Sequence, residues 1–301
     1  MTPAHLAHFH SDTSLHYVFL QCRQPYAQPC GSFALFRKLV DTVLQRLFLA
    51  FLSKKVIIPL ATTLGLILIW ELLVDSSIIP NFLLPAPTQV LSALMRDRAL
   101  LFAHSITTLS EACIGLVLGC ILGLLVALIM DSSRIAHLAL NPLITISQTI
   151  PTIAIAPVLV LWLGYDLLPK VVLVIITTFF PITLSLLAGF RAVDGQTIDL
   201  MRILKASRAQ MFYHVKLPSA LNQFFGGLSI SATYAIIAAV IAEWLGGFSG
   251  LGVYMIRVRK SFAYDRMFAV ILLISVLSLL LMGLIRILWH VSMPWEKAER
   301  K

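Results

Sequence analysis

The chain has 301 residues, of which 59% are hydrophobic and 12% charged, with a mean hydropathy of +0.91 and a formal net charge of +9. A soluble domain carries about 25% charged residues, so this composition excludes a large soluble core and indicates a polytopic membrane protein. The basic residues flank apolar stretches and form no single stripe, which fits membrane topology and argues against nucleic acid as a partner.

Residues 1–32 are polar, with His5, His8, His10 and His16 scattered among prolines and no periodicity. The segment reads as a disordered tail; a metal site there would lack a rigid scaffold. The apolar run 17–20 is too short for the core of a signal peptide. From 33 to 55, Phe36, Leu39, Val43 and Leu47 alternate with Arg37, Lys38, Asp41, Gln45 and Arg46, the pattern of an amphipathic helix lying in the membrane interface. Lys54 and Lys55 mark the inner boundary. The first span is 56–74, with Glu71 near its end. Pro80, Pro85 and Pro87 then forbid a continuous helix. This predicts an extended crossing on the outer face and a short helix capped by Thr88.

Span two covers 101–130. Gly115, Gly119, Gly123 and Ala127 recur every four residues on one stripe, suited to close helix packing inside the subunit. Glu111 in this span must face a cavity or a partner. Cys113 and Cys120 lie in the same span and read as packing residues; with Cys22 and Cys30 they show no metal-ligand spacing. After an inner turn at 131–134, span three (136–163) is interrupted by Pro142, Pro151 and Pro157, with Ser147, Gln148, Thr149 and Thr152 between them. A broken, hydroxyl-rich helix either lines a protein-walled pathway or is a kinked packing helix. A short outer loop is expected at 164–170. Span four, 171–190, is β-branched and nearly uniform, which predicts a lipid-facing helix.

Next comes a polar interruption, 197–218, carrying five charged residues at Asp199, Arg202, Lys205, Arg208 and Lys216. Burying them at a bilayer centre would cost on the order of 15 kcal/mol, so the segment stays in water. Ile198, Met201 and Leu204 step by three, and Met211, Phe212 and Val215 follow after a break. Two short amphipathic helices ending at Pro218 make either a compact knob suited to a partner's groove or an ordinary solvated loop. Span five, 219–245, is rich in small residues, and Ser229, Thr233 and Tyr234 are its candidates for bordering a water-filled route. The run AEWLGGFSGLG around Glu243 predicts a tight outer turn permitted by glycine. Its Gly247-Phe248-Ser249-Gly250 stretch is no nucleophile elbow, because the second glycine comes one position early. Arg257, Arg259 and Lys260 fall in the outer loop before span six, 267–289. Met293, Pro294 and Trp295 anchor the inner interface ahead of a charged tail, 291–301. With both termini inside, most of the 23 Lys and Arg residues lie on the cytoplasmic side.

The knob carries a resemblance. Asp199-Leu200-Met201, Lys205 and Val215-Lys216-Leu217-Pro218 fall at the spacing of E-A-A, three residues, Gly, nine residues, I-x-L-P. That pattern marks the last cytoplasmic loop of permease subunits of binding-protein-dependent ABC transporters. Leu200-Met201 replace the two alanines, and Lys205 stands at the glycine. The latter substitution predicts either a straighter loop or one fitted to a different ATPase. The phrase L-P-A-P-T at 84–88 resembles nitrate, taurine and sulfonate permeases, as does Glu243-Trp244 followed by paired glycines and G-L-G.

The resemblance implies an all-α integral membrane protein of the type I ABC importer permease kind. It would have about six transmembrane helices over 56–290, an N-terminal interfacial helix and a coupling loop at 191–218. Ile198, Asp199, Met201, Leu204, Lys205, Arg208, Leu217 and Pro218 would form the ATPase-coupling surface. Ser147, Gln148, Thr149, Thr152, Ser229, Thr233 and Tyr234 would line the pathway. It further implies a second permease copy in a homodimer, two separate ATP-binding subunits and an extracytoplasmic binding protein, in a bacterial inner membrane. The solute would be small and polar or anionic, in the manner of nitrate, sulfonates, taurine or a thiamine-precursor pyrimidine. No catalytic residue, cofactor or metal is expected, and the chain lacks the G-x-x-x-x-G-K-[ST] loop that cradles ATP phosphates. The alternative is an ion- or proton-coupled secondary transporter. That class calls for clustered ionisable groups at span depth, and only Glu111 stands out.

Overall fold

A computed structural model describes residues 54–293. The tail 1–32, nearly all of the interfacial segment 33–55, and residues 294–301 lie outside the described residues. The chain divides into two units, with the boundary between Leu66 and Ile67.

The described part of the first unit belongs to helix α1, Lys54–Asp75, which continues into the second. Ile57, Ile58, Leu60, Leu64 and Leu66 are exposed all round the helix, as expected of a segment whose solvent is lipid. Thr62 and Thr63 donate their hydroxyls to the carbonyls of Ile58 and Pro59, at 2.9 and 2.8 Å, so neither polar group is left bare.

The second unit takes up α1 at Ile67 and continues with α2 (Pro87–Arg96), α3 (Arg98–Ser132), α4 (Arg134–Ser147), α5 (Thr152–Leu163) and α6 (Leu167–Arg191). Then come α7 (Gly195–Ile203), α8 (Arg208–Met211), α9 (Leu217–Gly246), α10 (Leu251–Lys260) and α11 (Tyr264–Ser292). Among the described residues, five helices are long and apolar enough to cross a membrane. The pair α4 and α5, bent by 97°, makes a sixth crossing if counted as one broken span. The architecture is therefore all-α with five or six candidate spans.

Helix α6 is the centre of the bundle, not a lipid-facing helix as its uniform sequence predicts. Leu173, Val174, Thr178, Ile182 and Thr183 are fully buried along it. One side meets the small-residue stripe of α3: a Cβ on Gly115 would collide with Val174, one on Gly119 with Thr178, and one on Gly123 would crowd Ile182 and Thr183. On the other side Gly227 of α9 lies against Ser185 and Pro181 of α6, and Gly189 of α6 against Ala220 of α9. Stiff β-branched side chains lie in the grooves that small residues open, and the stripe packs within this one chain. The buried hydroxyls stay paired: Thr178 donates to Val174 at 2.8 Å, Thr183 to Phe179 at 2.8 Å, and Ser231 of α9 to the Thr178 carbonyl at 3.0 Å.

Three local expectations are corrected. Helix α2 starts at Pro87 with Ala86 as its N-cap. Thr88 instead donates its hydroxyl (2.7 Å) and its N–H (3.2 Å) to the Glu71 carboxylate at the end of α1. The loop expected at 164–170 is shorter, because Asp166 caps α6 and draws Lys170 into the helix. The loop holding Arg257, Arg259 and Lys260 is helix α10, too polar to register as an apolar element.

Candidate translocation pathway and coupling knob

The break in the third span arises from its prolines and hydroxyls. Helix α4 ends at Ser147, and Pro151, extended at φ −61° and ψ 122°, starts α5. Ser147 and Thr149 donate to the carbonyls of Leu143 and Ile146, each at 2.7 Å, so their protons are used within the chain and their lone pairs remain to accept. The break, α6 and α9 border a cavity of about 370 Å³. Its polar and aromatic lining comprises Ser147, Gln148, Thr152, Thr177, Phe180 and Tyr234, with no charged side chain. Four of the seven residues picked from the sequence thus come together. Thr149, Ser229 and Thr233 do not line the cavity, and Ser229 is bonded to the Phe225 carbonyl at 2.8 Å. Thr177 was missed because it lies in the stretch taken to face lipid; the pair Thr177-Thr178 was the available signal.

The knob is two helical pieces around a sharp turn. Asp194 caps α7, accepting from Gln196 N at 3.4 Å. The turn falls at Lys205, whose φ is +54°. Lys205 N–H donates to Arg202 (2.9 Å) and Ala206 N–H to Met201 (3.0 Å), which closes the end of α7 in the manner of a glycine C-cap. The loop is therefore not straightened by the missing glycine. Lysine takes the left-handed conformation, at a cost of about 1 kcal/mol. Ser207 and Gln210 then form a capping box on α8, with bonds of 3.2 and 2.8 Å.

Pro218 does not stop the helix. A π-helical turn, Phe212–Lys216, joins α8 to α9, and the Leu217 N–H reaches back to Phe212. This wider turn relieves the clash a proline ring makes with the carbonyl four residues earlier. Arg208–Gly246 is consequently one continuous 39-residue helical run. Lys216 binds both Asp131 oxygens at 2.8 Å, tying the run to the end of α3, and Phe212 packs on Phe190 of α6 with ring centroids 5.7 Å apart. The outward apolar face consists of Leu200, Ile203 and Leu204, at 56%, 77% and 67% exposure. Of the expected face only Leu204 is fully presented, since Ile198 and Met201 are half-buried. Asp199 pairs with Arg202 at 3.0 Å on the surface, Arg208 is exposed, and Leu217 and Pro218 are half-buried at the root of α9.

A buried polar hub lies toward the opposite end of the bundle from the knob. Lys170 of α6 meets Glu111 of α3 at 2.6 Å, which supplies the partner that an acid at span depth requires. Glu243 of α9 accepts from Thr108 Oγ1 and from the Gly252 N–H, both at 2.6 Å. Thr108 also receives the Leu251 N–H at 2.9 Å, and His104 the Gly250 N–H at 3.0 Å. Gly250, at φ +122°, passes so close to the Glu243 carboxylate that no Cβ would fit. The glycine-rich turn is thus a seat for a buried carboxylate and fixes α10 to the bundle. Tyr254 of α10 donates to Asp97 at 2.7 Å. Burial, helped by the adjacent Asp97 carboxylate, pushes its phenol up to about 12.

Residues 115–289 match the family of binding-protein-dependent transport system inner membrane components. The formylaminopyrimidine transport permease protein ThiX of Halalkalibacterium halodurans is 37% identical over 80% of this chain and 96% of its own length. A probable ABC transporter permease of Haemophilus influenzae is 37% identical over 74% of this chain and 91% of its own. The taurine permease TauC of Escherichia coli is 29% identical over 81% and 92%. Among solved structures, the MetNI methionine ABC transporter in inward-facing conformations superposes with a TM-score of 0.56 at 19% identity, over 64% of this chain and 96% of that one. An amino acid ABC transporter solved with histidines gives 0.53 at 19% identity, over 66% and 94%, and both support the fold. The chain belongs to the binding-protein-dependent inner membrane components, and is an ABC importer permease of the nitrate/taurine/sulfonate group.

Proposed function

We propose that this permease moves a small, uncharged polar solute through the cavity at the break, and that a separate ATPase drives it through the knob. The observation that carries the reading is the continuous run Arg208–Gly246, which has the second half of the knob at one end and Tyr234 of the cavity wall farther along. Displacing the second half of the knob would move that wall, and the turn at Lys205 would pass on the motion of α7. The ATPase would hold Leu200, Ile203 and Leu204, with Asp199, Lys205 and Arg208 around them. Ile198, Met201, Leu217 and Pro218 would act as the buttress beneath.

The chemistry of the lining narrows the solute. Hydroxyls, an amide, a phenol and the Phe180 ring suit a planar, hydrogen-bonding heterocycle, whereas an anion such as a sulfonate would find no cation there. This favours a pyrimidine of the kind named for the ThiX relative. Two copies of the chain would work as a homodimer with two ATPases and a binding protein, in a bacterial inner membrane with both termini and the knob in the cytoplasm.

The test is reconstitution in liposomes with the cognate ATPase and binding protein, following uptake of a labelled aminopyrimidine and of taurine. ATP-dependent uptake of the pyrimidine alone is expected. Uptake by the chain by itself down an ion gradient would overturn the ATPase reading, and preference for taurine would overturn the solute assignment.

A further inference from the structure

Where α3 ends and α4 begins, a cavity of about 230 Å³ is lined by Met130, Asp131, Arg134, His137, Leu187 and Arg191. It sits where two candidate spans end, at Ser132 and at Arg191. Its acid is already engaged, since both Asp131 oxygens take the Lys216 ammonium at 2.8 Å. Arg134 and Arg191 have no carboxylate partner among the described residues. Arg191 instead makes a short contact to His137 Nε2. An imidazole accepting at Nε2 carries its proton on Nδ1, and Nδ1 is buried without a partner. The cavity is thus lined by two guanidinium groups without a carboxylate partner among the described residues, together with a ring whose N–H has no acceptor. Beside it, Ile135 and Leu138 are 81% and 66% exposed, an apolar skirt at the lip of a basic recess.

We infer that this recess binds a phosphate monoanion, and that its source is the headgroup of an anionic phospholipid. Arg134 and Arg191 would hold the phosphate oxygens, a geometry the planar guanidinium favours, while the acyl chains lie along Ile135 and Leu138. The adjoining Asp131–Lys216 pair ties the end of α3 to the root of the knob, so a lipid held here would brace the element on which ATPase coupling depends.

Native mass spectrometry of the purified chain, titrated with phosphatidylglycerol or phosphatidylcholine, tests the site. Wild type should retain phosphatidylglycerol preferentially. Each of Arg134→Ala and Arg191→Ala should weaken retention about fivefold, whereas Arg134→Lys with Arg191→Lys should keep most of it. The lysine variant separates loss of charge from loss of fold. Equal retention of phosphatidylglycerol by wild type and the double alanine variant would overturn the site. Displacement of the lipid by millimolar inorganic phosphate would overturn the lipid as its source.

Discussion

Replacing Lys170 with methionine should strongly destabilise this protein. Lys170 and Glu111 side chains are 6% and 2% exposed, and they meet at 2.6 Å between α6 and α3, two of the three helices that form the bundle centre. Methionine nearly matches the volume of lysine, so little packing is lost. What remains is a carboxylate in the bundle interior without its counter-ion, a loss that costs about 3–5 kcal/mol when one partner of a buried pair is removed. The folded-to-unfolded ratio should fall by roughly 10²-fold to several thousandfold, since 1.4 kcal/mol is a factor of ten. The double variant Glu111→Leu with Lys170→Met removes that pair and should recover part of the loss, because its desolvation costs vanish with the attraction while Glu243 keeps its Thr108 and Gly252 donors. The assay is reversible unfolding in mixed micelles, followed by tryptophan fluorescence for wild type, each single variant and the double. Additive single and double effects would refute the reasoning, as would a Lys170→Met variant within about 1 kcal/mol of wild type, because surface pairs behave that way.

Lys205→Gly should stabilise the knob by about 1 kcal/mol, since glycine takes φ +54° without steric cost, and hydrogen exchange at the end of α7 would slow accordingly. Unchanged exchange would mean the turn is not left-handed in the intact protein. Ile203→Asp with Leu204→Asp, both on the exposed face, should abolish ATP-dependent uptake while leaving the unfolding midpoint unmoved. Charged substitutions at half-buried Ile198 and Met201 should lower that midpoint as well, and equal behaviour of the two pairs would contradict the assigned face.

Much of the layout was legible in the chain. Five charges and a proline in an otherwise apolar sequence, costly in lipid, marked the knob as a separate element, and Pro151 with its hydroxyl neighbours marked the broken span. The stripe from Gly115 to Ala127 announced a close approach without naming its partner. Lys170 reads as a loop residue, because a lone lysine beside an apolar run looks like a span boundary. Helix α10 carries Arg257, Arg259 and Lys260, so no apolar window revealed it. The turn at Lys205 could not be read, because the hydrogen bonds that hold a lysine at positive φ come from residues already folded into α7.

The division follows from what the bilayer distinguishes. Transfer from water to hydrocarbon separates apolar from charged segments strongly, so the amino-acid order alone marked the apolar stretches, the break and the charged knob. Lipid tails and protein interiors are equally apolar, so no hydropathy signal tells a helix face in lipid from one against a neighbour. Shape decided that, through the glycine grooves that place α6 at the centre, pair Lys170 with Glu111 and bring Thr177 and Tyr234 to one cavity.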